Sequence, residues 1–300
     1  MKHRERVKKR ILEKIAAKTR TLGVELTTYC PLQCKYCTRN MLDRKDRTLS
    51  QEKLLELKEK LADFQRLVIC GMGEPMTYPY LYDTTSMLEQ KIILITSGTM
   101  LIDYEKLNRR KNIEVIVFSI DAPTREEMVE ITGNYKWENL MQNLKRSRYN
   151  SRVSKVINCT VTKYNYRRIP DLTRFAILHR LQGVSFTMEI RRTDDTGVGK
   201  EIHKYLEEAV NIANRGGIAF TSSYEHIKCM SWGDVVPYAD INGDFFPCCQ
   251  GVNRKYKVGN IFTSTFAEIW DSPAYKKFKK GNMCIHDCPL YSDITQEDKK

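Results

Sequence analysis

Six short runs of apolar and β-branched residues, separated by helical patterns, leave this chain of 300 residues little architectural freedom over its first two-thirds. The runs fall at residues 23–27, 66–70, 92–96, 113–120, 156–162 and 184–190, each near-continuous, as a strand buried on both faces requires. Helical patterns occupy 50–62, 80–90, 104–109, 137–148 and 169–181, and Leu54, Leu55, Leu57 and Leu61 recur through the first. Ser50 is expected to cap that helix, although Lys53 stands where a capping box would carry Glu. Such alternation gives right-handed crossovers and a parallel sheet that curls toward a barrel. In such folds the chemistry sits on the loops after the strands' C-terminal ends.

The pattern changes after a loop at 191–200 and a helix at 201–214. Residues 235–248 read as two short strands around Asn242-Gly243, a hairpin signal. A short helix at 265–270, a Lys-rich one at 273–280 and a closing Cys284/Cys288 pair follow. The expected division is a basic N-terminal helix at 1–20, a barrel at 21–215, a small α+β unit at 216–290 and a polar tail at 291–300.

Ten cysteines demand an explanation. The N-terminus has no apolar segment of the secretory kind, so a cytoplasmic location with reduced thiols is expected. No apolar run approaches the ~20 residues that span a bilayer, which argues against membrane insertion. Metal binding, catalysis and burial remain as uses for the cysteines.

Cys30, Cys34 and Cys37 lie within eight residues, directly after the first strand. Three thiolates on one loop can converge on a soft metal centre. A structural zinc site wants four ligands, whereas a [4Fe–4S] cluster held by three thiolates keeps one iron open. The C-x3-C-x2-C spacing, with Tyr36 before the third cysteine, resembles the radical S-adenosylmethionine (radical SAM) superfamily. Gly71-Met72-Gly73-Glu74-Pro75 after the second strand is similar to that family's Gly-Gly-Glu-Pro turn, with Met72 replacing a glycine. Thr96-Ser97-Gly98-Thr99 resembles its Thr-Asn-Gly-Thr run, and Ser119-Ile120-Asp121 the polar pair placed near the ribose.

The resemblance implies a partial (β/α)6 TIM-like barrel with a small C-terminal α+β domain. It implies that the cofactor's amino and carboxylate groups chelate the open iron, so that one electron breaks the S–C5′ bond and a 5′-deoxyadenosyl radical abstracts hydrogen from a substrate. On this pattern Gly71, Met72 and Gly73 offer carbonyls to the methionine ammonium, and Glu74 holds the turn or shares that contact. Tyr36 then lies by the adenine, with Ser97, Ser119 and Asp121 completing the cofactor pocket. The same three cysteines read without the family leave a zinc knuckle or burial open.

Cys229, Gly243, Cys248, Cys284 and Cys288 resemble the C-terminal extension called SPASM or twitch. That likeness implies a second, auxiliary [4Fe–4S] cluster on the four cysteines, although three residues separate the final pair where the family usually has two. A zinc ribbon is the rival use of this set. Cys249 adjoins Cys248 and points to the opposite face of a strand, which favours packing. Cys70 and Cys159 lie in strand runs and are expected in the core. Beyond the cofactor no catalytic side chain is nameable, although Glu189, Arg191 and Arg192 leave the sixth strand toward the barrel mouth.

Fifty basic against thirty-seven acidic residues leave a net charge of +13. Residues 1–20 hold nine Lys/Arg and two Glu, and residues 140–180 ten Lys/Arg against Asp171 alone. These tracts are either solvated helix faces or a field for an anionic partner. A flavodoxin- or ferredoxin-like electron donor is the expected one, with nucleic acid not excluded. About twenty residues precede the first strand, too few for a leader-gripping domain, which favours a small-molecule substrate or a peptide delivered by another protein. The alternative is a zinc-containing nucleic-acid-binding protein.

Overall fold

In the computed structural model, the residues described are 21–37, 39, 46–149, 152–189, 201–223, 236–247 and 257–280. Seven parallel strands form its centre: β1 (Thr21–Val24), β2 (Arg66–Ile69), β3 (Lys91–Thr96), β4 (Ile113–Ser119), β5 (Ser154–Val161), β6 (Gly183–Met188) and β7 (Ala219–Ser222). Three short ones follow, β8 (Tyr238–Ala239), β9 (Asp244–Phe246) and β10 (Gly259–Asn260), in one sheet of order β10-β9-β8-β1-β2-β3-β4-β5-β6-β7. β8 runs parallel to β1, pairing Gly23 with Tyr238, and β9 turns back antiparallel to β8.

The helices are α1 (Gln51–Lys60), α2 (Leu81–Met87), α3 (Tyr104–Leu107), α4 (Arg125–Thr132), α5 (Trp137–Ser147), α6 (Ile169–Leu178), α7 (Ile202–Gly216), α8 (Phe266–Asp271) and α9 (Pro273–Lys280). Ser50 caps α1 as expected, accepting from Lys53 N. Burial alternates along β5 and β6, with Ile157, Cys159, Val161, Val184, Phe186 and Met188 packed in the core. Asn158, Thr160, Ser185 and Thr187 are only half-buried, on the opposite face. Among the described residues no helix is long and apolar enough to cross a membrane.

Two elements lie beyond the sequence reading. α4 begins at the Thr124 cap and packs Met128 and Ile131 inward, but eight residues with three acidic side chains give a weak apolar period. β7 is a half-exposed edge strand of four residues, too short to announce itself.

Three of the described helix-to-strand loops at the N-terminal end of the sheet turn through left-handed backbone. Gly217 does so before β7 with φ 65°. Lys111, before β4, and Arg180, before β6, adopt φ 58° and 57°. A side chain in this conformation costs roughly 1 kcal/mol against glycine.

Candidate functional site

The cysteine loop leaves β1 and is braced from three sides by backbone bonds. Gln33 N and Lys35 N donate to Thr132 O and Ile131 O at the end of α4 (both 3.0 Å). Glu74 N donates to Tyr29 O (2.9 Å), and Arg39 Nε to Thr28 O (3.0 Å). Gly73 approaches so closely that a Cβ there would lie 2.3 Å from Thr27 O and 2.7 Å from Tyr29 O. Only glycine fits, which locks the turn after β2 against the cysteine loop.

None of the three thiols is in a disulfide. Cys30 is pushed up to about 11, first by burial, with the Leu32 amide opposing and Glu74 and Cys37 adding to the rise. Burial also raises Cys34, followed by Asp121, Cys37 and Cys30. Among the described residues no three Cys, His, Asp or Glu side chains converge on a single ion. Thiols close enough to repel one another's charge, yet not closed on a point, suit a multi-atom cluster whose cations would favour the thiolates.

Glu74 is the hub of the turn. Its Oε1 accepts from Met76 N (3.0 Å) and Thr96 Oγ1 (2.7 Å), and its Oε2 from Ser97 N (2.7 Å) and Ser97 Oγ (2.6 Å). Four bonds use up the carboxylate, so of its two expected roles it fills that of holding the turn. Tyr135 Oη donates to Ser97 O (2.5 Å), and Asn143 Nδ2 to Gly98 O (3.0 Å) and Met100 O (2.7 Å), which fixes the turn after β3.

Tyr36 donates its phenol to Asp121, which also accepts from Thr160 N (2.8 Å). Asp121 is pushed up to about 6 by burial, against the pull of those two bonds. The Tyr36 side chain therefore ties the cysteine loop to the end of β4, leaving its backbone as the part free to face an adenine. Ser119, half-buried, pairs in register with Asn158 of β5.

Met72, the departure from the family's glycine, has a local explanation. Its side chain packs with Cys70, Tyr238 and Phe246 in a small cluster between the turn and the β8–β9 hairpin. Cys159 is fully buried, the core residue expected, whereas Cys70 is only half-buried against Tyr238 and Phe246, its thiol pushed up to about 12 by burial and Glu25. Cys229, Cys248, Cys249, Cys284, Cys288, Arg191 and Arg192 lie outside the described residues.

Glu25 escaped the sequence reading. It is buried at the end of β1; its Oε1 accepts from Met72 N (2.8 Å) and its Oε2 from Ile241 N (3.3 Å). An acidic residue inside an apolar strand run was the available signal.

The basic tract at 140–180 divides. Arg168 pairs with Glu127 (2.9 Å) and Asp171, Arg174 with Asp171 (2.9 Å) and Glu208 (2.6 Å), and Arg167 with Glu201 (3.6 Å). Of the others, Lys145 and Arg146 end α5, Arg148, Arg152 and Arg180 lie on the loops at the N-terminal end of the sheet, Lys155 is buried in β5, and Lys163 follows β5 on the cysteine-loop side.

A barrel-like parallel sheet with a half-buried three-thiol loop and a saturated Gly-Glu-Pro turn at its C-terminal end suits an enzyme built around a cluster and a small anionic-cationic cofactor. The chain belongs to the radical SAM superfamily, whose model matches residues 24–176; the model of SPASM, an iron–sulfur cluster-binding domain, matches residues 229–289. It is 27% identical over 295 residues to a PqqA peptide cyclase of Gluconobacter oxydans, covering 89% of this chain and 81% of that protein. To a tungsten-containing aldehyde ferredoxin oxidoreductase cofactor-modifying protein of Pyrococcus furiosus it is 22% identical, covering 86% and 82%. Its fold is similar to that of Streptococcus suis SuiB bound to S-adenosylmethionine, with TM-score 0.72 and 20% identity over 92% of this chain and 72% of that one. With a [4Fe–4S] cluster and S-adenosylmethionine bound, a radical SAM enzyme cleaves the cofactor reductively for hydrogen abstraction, and the SPASM region brings an auxiliary cluster. This membership replaces the zinc-containing nucleic-acid-binding alternative.

Proposed function

We propose that this chain is a radical SAM oxidoreductase that removes hydrogen from a peptide. Support comes chiefly from relatives that span nearly its whole length: a PqqA peptide cyclase, and SuiB, which is also known bound to its precursor peptide SuiA. Cys30, Cys34 and Cys37 hold the first cluster, and Cys229, Cys248, Cys284 and Cys288 the auxiliary one. Gly71, Met72 and Gly73 present carbonyls to the cofactor's ammonium from a turn that Glu74 holds rigid. Ser97, Ser119 and Asp121 border the ribose, and the Tyr36 backbone meets the adenine. The barrel, carried through β7, forms one unit, and the residues from 223 to 290 the auxiliary one.

The wall that continues from this pocket across β5–β7 favours a peptide over the small molecule also expected. Ser119, Asn158, Ser185 and Thr221 stand in one registered row across β4–β7, and Thr160 and Thr187 in the next. Thr187 Oγ1 donates to Asn158 Oδ1 (2.9 Å), which turns the Asn158 amide group outward as a donor. Neutral hydroxyls and amides on a half-buried wall match peptide bonds better than a carboxylate or phosphate. A flavodoxin- or ferredoxin-like protein supplies the electron, in the cytoplasm.

The test is anaerobic turnover of the reconstituted enzyme with short peptides encoded beside its gene. The expected result is 5′-deoxyadenosine formation that rises with one peptide, which loses two hydrogens by mass. Turnover accelerated by a small alcohol or nucleotide, and by no peptide, refutes the reading.

A further inference from the structure

The rim of the sheet farthest from the cysteine loop carries cations without partners. Lys111, Lys145, Arg146, Arg148, Arg152 and Arg180 are all exposed there, Lys145 and Arg146 in the last turn of α5 and the others on the loops leading into β4, β5 and β6. Among the described residues none of the six makes an ion pair, whereas Arg167, Arg168 and Arg174 of the same tract all do. Two acidic residues near this end, Glu89 and Glu114, are already held by Arg110 (3.2 Å) and Arg66 (2.9 Å). The loops are contiguous: Gln182 N donates to Lys155 O (2.8 Å), and the Arg148 charge is felt by His179.

Two further observations single out this rim. Lys111 and Arg180 are the non-glycine residues with left-handed backbone among those described, while Gly217 fills the comparable turn before β7. Charge is kept where the backbone favours glycine, and strain retained in this way points to a use for the side chain. Second, the two most exposed large hydrophobic residues described, Tyr149 at 86% and Leu178 at 72%, stand among these cations. From Leu178 an open apolar cleft of about 530 Å³ continues past Phe175 and Ile177.

From these features we infer that the rim docks on an anionic lipid surface, the cations meeting headgroup phosphates while Tyr149 and Leu178 enter the interface. Nucleic acid fits less well, because Leu178 offers nothing to a base and Tyr149 is the single exposed large aromatic described among the charges, short of a stacking platform. Docked so, the enzyme turns its cysteine loop and barrel mouth away from the bilayer. The inference is independent of the peptide reading.

The full-length protein is sedimented with phosphatidylcholine vesicles, with and without about 30% phosphatidylglycerol. Binding is expected only to the anionic vesicles, and to weaken from about 0.05 M to about 0.3 M salt. Together, Arg146→Glu, Arg148→Glu and Arg152→Glu should lower the bound fraction about tenfold or more, leaving reductive cofactor cleavage intact. Lys111→Gly with Arg180→Gly guards against misfolding, since it relieves strain: the melting temperature should hold or rise while vesicle binding falls. The inference is overturned if the wild type ignores anionic vesicles or if either variant binds them like the wild type. Capture of single-stranded RNA in preference to vesicles, lost in the same variants, would overturn it in favour of nucleic acid.

Discussion

The Glu25 side chain occupies the space that a side chain at Gly71 would need: a Cβ on Gly71 would lie 2.7 Å from Glu25 Cγ and 2.8 Å from Glu25 Oε1. With φ at 152°, Gly71 also holds a backbone shape that side chains rarely take. The carboxylate so placed bonds Met72 N on one side and Ile241 N on the other. One buried acid thus joins the cofactor turn to the C-terminal hairpin.

Gly71→Ala should therefore destabilise the chain by about 1–3 kcal/mol through strain and overlap. Glu25→Gln keeps the volume, replaces one acceptor oxygen by an amide donor and leaves the other oxygen uncharged and weaker. Hydrogen exchange should speed up at Met72 and Ile241 together, and S-adenosylmethionine binding should weaken in parallel. Exchange that changes at one amide and not the other contradicts the joint.

Anaerobic reconstitution should give about eight irons per chain if both sites hold [4Fe–4S]. Cys34→Ala should abolish 5′-deoxyadenosine formation and remove about half the iron. Replacing Cys229 and Cys248 should remove the other half while cofactor cleavage survives. An iron count near half that of two clusters, with one zinc, would identify a ribbon.

Arg167, Arg168 and Arg174 each meet an acidic side chain, which leaves less of their field for steering an acidic electron donor. Reversing them to Glu should leave the salt dependence of flavodoxin-driven turnover unchanged. Arg174→Ala should cost about 0.5 kcal/mol, as exposed pairs do. A steep loss of flavodoxin-driven turnover, with dithionite-driven turnover intact, would restore the steering role.

Asp121 gives the cluster-free chain a pH signature. Its folded value near 6 lies above the ordinary 3.8, so the folded state binds a proton between those values that the unfolded state does not. Its contribution to stability is complete below about pH 4 and lost as pH rises through 6, about 2–3 kcal/mol at one unit per 1.4 kcal/mol. Urea unfolding across that window should show the slope, and Asp121→Asn should flatten it. An unchanged slope in the variant places the titration elsewhere.

Much of the fold was legible because buried parallel strands write themselves as continuous apolar runs, and residues 92–96 or 156–162 do so plainly. The cysteine loop was legible because its three thiols are close in sequence. Glu25 and Ile241 are 216 residues apart, and nothing local in either announces a bond between them. The return of the chain to place β8 beside β1 was hidden for the same reason, since a two-residue strand has no period to detect. Charge counts along the sequence likewise missed which arginines meet acids from other helices: Arg168 finds Glu127 across 41 residues.

The pairing of β1 with β8 also orders events during synthesis. β1 is among the first parts of the sheet to leave the ribosome, yet one of its edges waits for residues 238–239. Until then Gly23 and Glu25 expose backbone groups that end bonded to Pro237 O (2.8 Å) and Ala239 O (3.0 Å). An unpaired strand edge next to a reactive thiol loop is prone to misassociation. The edge of β1, and with it the Glu25 joint under the cofactor turn, is thereby finished only once residues 237–241 have been made.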